Sequence, residues 1–143
     1  MAVTSTNSRP LGTDAVTVMI VEPDVVVRTV IAEYLRECGY KVIEGASAED
    51  VWKVLKENIL IDILLADIQL NGRVDGFSLA RRIRDEYPSI DVLLTSGAAK
   101  VADKAGELCE DGPVEKPYHP QEVLRRIHLM RERHRTEAKP DKS

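Results

Sequence analysis

The sequence predicts an α/β fold: a doubly wound sheet of five parallel strands with helices on both faces, written (βα)5. Three observations predict it. Short apolar runs rich in β-branched residues alternate with longer segments whose apolar residues recur every three or four positions. Several of the short runs are continuous rather than alternating, as in strands covered on both faces. The chain has 143 residues, 43% of them hydrophobic and 31% charged. At that size one domain buries enough surface to fold without a disulfide or a metal. Such alternation implies a parallel sheet, and right-handed crossovers then make a doubly wound sandwich the natural closure.

Each element has its own signal. VTVMIV (16–21) is a continuous apolar strand. Val27, Val30, Ile31, Tyr34, Leu35 and Cys38 follow at helical spacing, and Gly39 stops that helix. YKVIE (40–44) is a short alternating strand. Ser47 with Asp50 opens a second helix carrying Val51, Trp52 and Leu55 on one face. IDILLA (61–66) is the next strand, and Gly72 and Gly76 bracket the loop after it. Phe77, Ala80, Ile83 and Tyr87 mark a third helix face. DVLLTS (91–96) is a strand, 98–110 a weaker helix, and PVE (113–115) a very short fifth strand. A last helix runs from His119 to about Arg135, with Val123, Ile127 and Met130 on one face. The domain therefore spans 15–132. Residues 1–14, rich in small polar residues, read as a flexible tail, and 133–143, ending in TEAKPDKS, as a second.

Composition excludes several function classes. No apolar run reaches the roughly 18 residues of a membrane span. The N-terminus lacks a basic start followed by an apolar stretch, so no secretory signal is expected. Residues 1–120 carry 13 Lys/Arg against 20 Asp/Glu, and 121–143 carry 7 against 4. An acidic body argues against a nucleic-acid partner, and the short basic end, without aromatics and interleaved with acids, reads as a solvated helix end. Cys38 and Cys109 lie 71 residues apart with no CxxC, which excludes a disulfide framework and a standard zinc site and points to a reducing cytoplasm. Cys38 falls on an apolar face and is expected to be buried. Trp52 reads as packing, Arg81-Arg82 as a solvated face. His119, His128 and His134 have no metal-ligand spacing.

In open α/β sheets, sites form beyond the carboxyl ends of the strands. The first strand ends at Glu22-Pro23-Asp24, the third at Asp67, the fourth at Thr95-Ser96-Gly97 and the fifth at Lys116-Pro117. Carboxylates, a hydroxyl and an ammonium thus converge on one edge. Crowded carboxylates need a cation or a raised pKa. Mg²⁺, which takes oxygen ligands and keeps several waters, suits them. An Asp beside Mg²⁺, a lysine and a hydroxyl is a plausible nucleophile toward a phosphoryl group.

VMIVEPD, DILLADIQLNGRVDGFSLARRIR, VLLTSG and EKPY, in this order at strand ends, resemble the receiver domain of two-component response regulators over about 15–132. The likeness is greatest to stand-alone, single-domain receivers. The resemblance implies a flavodoxin-like sheet in the order 2-1-3-4-5. It implies Asp67 as phospho-acceptor, Ser96 as the hydroxyl that follows the phosphoryl group, and Lys116 as its ammonium partner, before a Lys-Pro bond that is commonly cis in this family. Mg²⁺ would be held by Glu22, Asp67 and the backbone carbonyl of Gln69. The implied activity is no separate enzyme but acceptance of phosphate from a sensor histidine kinase or phosphotransfer protein, with switched binding to a downstream protein. The implied setting is a cytoplasmic monomer or weak homodimer, with no nucleic-acid or membrane partner.

Departures from the family pattern are equally specific. Pro23 stands where the second acidic residue is expected and offers no ligand. Asp24 could substitute if the turn shifts by one residue, or it could serve only as a helix N-cap. Fewer carboxylates imply weaker Mg²⁺ binding. The loop LNGRVDG lacks the usual proline and has one extra residue, and Pro113 replaces the switch aromatic. These departures support an alternative: a pseudo-receiver binding module with weak or absent Mg²⁺-dependent phosphorylation. A flavin carrier on the same fold is disfavoured, because no phosphate loop follows the first strand and Glu22 and Asp24 would repel a phosphate there.

Overall fold

A computed structural model describes residues 15–109 and 120–138. Four strands and five helices follow one another: β1 (Thr17–Val21), α1 (Val25–Glu37), β2 (Lys41–Gly45), α2 (Ala48–Lys56), β3 (Ile63–Asp67), α3 (Gly76–Glu86), β4 (Asp91–Thr95), α4 (Ala98–Leu108) and α5 (Pro120–Ala138). The strands form one parallel sheet in the order β2-β1-β3-β4. Among the described residues the sheet thus has four strands rather than the expected five. The segment expected to form the fifth, 113–115, lies outside the described residues, as do Pro113, Lys116, Pro117, Tyr118 and His119.

Strand periodicity divides the core. Val18 and Ile20 of β1 and Leu65 of β3 face one layer, built from α1, α4 and α5 through residues such as Val30, Val101 and Ile127. Met19, Val21, Leu64 and Ala66 face the other, built from Val51 of α2 and Leu79 and Ile83 of α3. Successive side chains of a strand point to opposite faces, so β1, buried along its whole length, serves both layers at once. Under right-handed crossovers, a helix leading from β4 to a strand on its outer side would join α2 and α3. Instead α4 docks Val101, Ala102 and Ala105 on the layer of α1 and α5.

Several local readings change. The buried face of α3 is Gly76, Leu79, Ala80 and Ile83, a helical stripe, while Phe77 is 54% exposed. Arg82 is not merely solvated: its guanidinium lies 4.2 Å over the Trp52 ring and pairs with Glu86 at 3.1 Å, tying α3 to α2. The last helix continues to Ala138, a little past its expected end at about Arg135.

The cysteine reading is overturned. Cys38, the C-cap of α1, and Cys109, the C-cap of α4, are joined in a disulfide with their Cα atoms 5.9 Å apart. Sequence spacing carried no sign of this. The two helices meet only because α4 packs on the α1 side of the sheet.

Candidate functional site

The site edge is set by strand register. Val21 pairs with both Gly45 and Ala66, and Asp67 pairs with Thr95, so the carboxyl ends of all four strands finish almost level. Glu22 continues the ladder by one bond, its N–H donating to the Gly45 carbonyl at 2.9 Å. This draws Glu22 onto the edge with only 7% of its surface exposed. Arg28 of α1 donates to the Glu22 carbonyl at 2.7 Å and pairs with Glu44 at 3.5 Å, fixing the turn from the β2 side.

The Asp67 carboxyl lies beside that of Glu22, close enough for a hydrogen bond when Glu22 is protonated. Burial, reinforced by the neighbouring Asp67 charge and that hydrogen bond, pushes Glu22 from 4.5 up to about 7, against the opposing effect of the Asp24 N–H at 3.0 Å. Two carboxyl groups in contact share a proton more readily than they carry two charges. Glu22 therefore keeps its proton to near neutral pH in the folded chain.

Asp24 behaves differently. Its Oδ1 accepts from Val26 N–H at 2.9 Å and Val27 N–H at 3.2 Å, capping α1. Its Oδ2 forms an ion pair with Arg131 of α5. Both oxygens are thus engaged. Arg131 was absent from the sequence reading, and no local signal could have found it, since it lies 107 residues from its partner. Asp24→Ala should lower stability by about 1 kcal/mol through loss of the cap. Asp24→Asn, which keeps an acceptor, should retain most of that in urea melts; equal losses would show that the ion pair, not the cap, carries the effect.

The loop after β3 is shaped around Asp67. Asp67 Oδ1 accepts from the Gln69 N–H at 3.0 Å, and the Gly76 N–H closes the loop on the Ile68 carbonyl at 2.8 Å. Asp75 caps α3 by accepting from Ser78 N–H at 2.8 Å, which holds its carboxyl below the usual range. A Cβ on Gly76 would sit 2.3 Å from the Asp67 carbonyl oxygen and 2.6 Å from Ile68 Cα. Both are backbone atoms, so relief requires moving the acceptor strand. Gly76→Ala should therefore cost about 1–3 kcal/mol, as other overpacked sites do. An unchanged thermal midpoint would show that the loop yields freely.

Ser96 follows β4 and is exposed. Thr95 beneath it is buried, its hydroxyl donating to the Ala66 carbonyl at 3.5 Å. Ser96 opens onto a cleft of about 370 Å³, bounded by Ile68 and Leu94 on the sheet side and Lys100 and Lys104 on α4.

As a metal site this edge is lean. Glu22 and Asp67 supply hard oxygen donors side by side, the donor type a divalent cation such as Mg²⁺ takes. Asp24 is not gathered with them, and among the described residues no three His, Cys, Asp or Glu side chains converge on one point. Of the expected site residues, the structure brings Glu22 and Asp67 together and places Gln69 beside them. Asp24 lies adjacent but engaged elsewhere, Ser96 at the neighbouring strand end, and Lys116 outside the described residues.

Comparison with known proteins gives a consistent picture. The family profile of the response regulator receiver domain matches residues 18–128. The chain is 30% identical over 119 residues to the uncharacterized transcriptional regulatory protein YbdJ of Bacillus subtilis (strain 168), covering 82% of this chain and 51% of that protein. It is 26% identical over 113 residues to the response regulator GtcR of Aneurinibacillus migulanus, covering 78% and 46%. The chain thus spans about half the length of these curated relatives. Among solved structures it is similar to a candidate response regulator from Chloroflexus aurantiacus J-10-fl, with TM-score 0.55, 30% identity, and 81% and 97% of the two chains covered. It shares its fold with the chemotaxis response regulator CheY4 of Vibrio cholerae, with TM-score 0.54, 20% identity, and 82% and 98% covered. No helix among the described residues is long and apolar enough to cross a membrane.

Proposed function

The chain belongs to the response regulator receiver domain family, and from that premise we propose that it accepts a phosphoryl group on Asp67 and thereby switches protein–protein binding. The supporting observation is the Glu22–Asp67 carboxyl pair at the sheet's C-terminal edge, with Glu22 pushed up to about 7 by burial and by Asp67. The donor is a phosphohistidine on a sensor histidine kinase or phosphotransfer protein. The exchange belongs in the cytoplasm, where ATP can charge such a kinase.

In the reaction, a carboxylate oxygen of Asp67 attacks phosphorus in line with the departing imidazole. The new O–P bond forms as the P–N bond breaks, and the imidazole leaves with its proton. Gln69 orients the acceptor through its N–H on Oδ1. Gly76 holds the strand end where the oxygen is presented. A Mg²⁺ ion held by Glu22, Asp67 and the Gln69 carbonyl would offset charge on the transferred oxygens. Asp24 would join that set only by releasing Arg131. Ser96 and Lys116 would receive the oxygens of the phosphorylated state, which carries about −1.5 to −2 charge.

A second reading is favoured by one observation. Pro23 supplies no ligand and Asp24 is engaged by its own helix and by Arg131. On that reading the protein is a pseudo-receiver that binds its partner constitutively. Intact mass after incubation with a small phosphodonor, with and without Mg²⁺, separates the two: a metal-dependent adduct of one phosphoryl group supports the first, and none across a wide Mg²⁺ range supports the second.

A further inference from the structure

The chain has only two cysteines, and the fold brings both together. Each is the C-cap of its helix, Cys38 on α1 and Cys109 on α4, with Cα atoms 5.9 Å apart, inside the ordinary range for a disulfide. A second contact lies beside them: the Tyr40 hydroxyl donates to the Leu108 carbonyl, again joining the turn after α1 to the last turn of α4. Cys109 is 7% exposed within the core layer of α1, α4 and α5, while Cys38 packs at its margin and is only partly buried. The far end of α4 is thus fastened to α1. Its near end starts at Gly97, directly after Ser96.

We propose that Cys38 and Cys109 form a reversible redox site whose disulfide clamps α4 onto the α1–α5 layer. The co-reactant is a small disulfide of the glutathione class. A Cys38 thiolate attacks one of its sulfurs and releases one thiol, giving a mixed disulfide on Cys38. The Cys109 thiolate then displaces the second small thiol and closes the protein disulfide. Two protein thiols are oxidised, one small disulfide is reduced to two thiols, and two protons leave the cysteines in the course of exchange. The more exposed Cys38 is the entry point, because access governs which sulfur reacts. Closing so long a loop removes much unfolded-state freedom, so the oxidised form should melt roughly 10 °C above the reduced one. In the reduced form, among the described residues, the Tyr40–Leu108 bond and side-chain packing hold the end of α4 against α1. On the proposed phosphorylation reading, a shift of Ser96 toward the phosphoryl group pulls on the start of α4, which begins directly after it, and the oxidised clamp opposes that movement.

The test uses the full chain equilibrated in glutathione buffers from fully reduced to fully oxidised. Intact mass after alkylation counts free thiols, thermal melts give the midpoint, and hydrogen exchange reports the α4 amides over residues 98–108. We expect a two-thiol transition, a higher midpoint when oxidised, and at least tenfold slower exchange in the last turns of α4. Cys38→Ala should match the reduced wild type at every poise. If both thiols stay free in oxidised buffer, or if α4 exchanges equally in both forms, the proposal is overturned. Because the wild type alone supplies both states, a poorly folding variant does not decide the result. None of these readouts needs Asp67, so a failed phosphorylation assay leaves this proposal standing, and a failed thiol assay leaves the phosphorylation reading standing.

Discussion

Asp67→Asn should abolish the phosphoryl adduct altogether while leaving the fold intact. The expected result is one added phosphoryl group on the wild-type chain in the presence of Mg²⁺ and a small phosphodonor, and none on the variant. The reason is chemical: an amide oxygen is a poor nucleophile and cannot form the acyl phosphate, whereas the isosteric side chain still accepts the Gln69 N–H at Asp67's position. Stability should barely fall, and it should rise where Glu22 ionises, because the variant removes the neighbouring charge that helps push Glu22 upward. An adduct persisting on Asp67→Asn would place the acceptor elsewhere, and the neighbouring carboxylates Glu22 and Asp24 would be next to replace. Loss of folding in the variant, read by circular dichroism, would instead show that the carboxyl pair is a structural element.

The second large effect concerns pH. Glu22 has its folded-state pKa raised from 4.5 to about 7, by burial first and by Asp67 second. Between those values the folded protein binds a proton that the unfolded chain has lost. The stabilising contribution of protonated Glu22 is therefore complete below pH 4.5 and is lost as pH rises through about 7. A shift of this size corresponds at most to about 3 kcal/mol, and solvent reaching the edge brings it to roughly 1–3 kcal/mol. Metal-free wild type should thus become less stable between weakly acidic and neutral pH. Glu22→Gln should flatten that slope and exceed the wild type in stability above neutral pH, with near-equality in acid. The same variant should lose Mg²⁺-dependent stabilisation, since it removes one of two carboxylates in contact. Chemical denaturation at several pH values, with and without Mg²⁺, reads both. A slope that survives in Glu22→Gln would assign the titration to another group.

These two predictions mark how much of the site was legible in the residues. Glu22, Asp67 and Ser96 each stand where an apolar strand run stops, and a parallel sheet must gather such positions on one edge. Local chemistry showed Gly76 closing the β3–α3 loop, although not that a Cβ there would meet the Asp67 carbonyl at 2.3 Å. Asp24 was ambiguous for a physical reason: an Asp at a helix start is equally good as a cap and as a ligand. The ambiguity turns on Arg131, whose ion pair with Asp24 depends on how α5 lies across α1.

The sequence by itself determined the alternation of strands and helices and the residues that stand at the strand ends. Those features follow from local periodicity, which every segment carries within its own few residues. Only the tertiary structure decided that α4 joins α1 and α5, that Leu79 rather than Phe77 is buried, that Arg82 covers Trp52, and that Cys38 meets Cys109. Each of these depends on the rotation of a helix about its axis or on the choice of sheet face. Those are set by packing between segments far apart in the chain, where no residue's own pattern reaches.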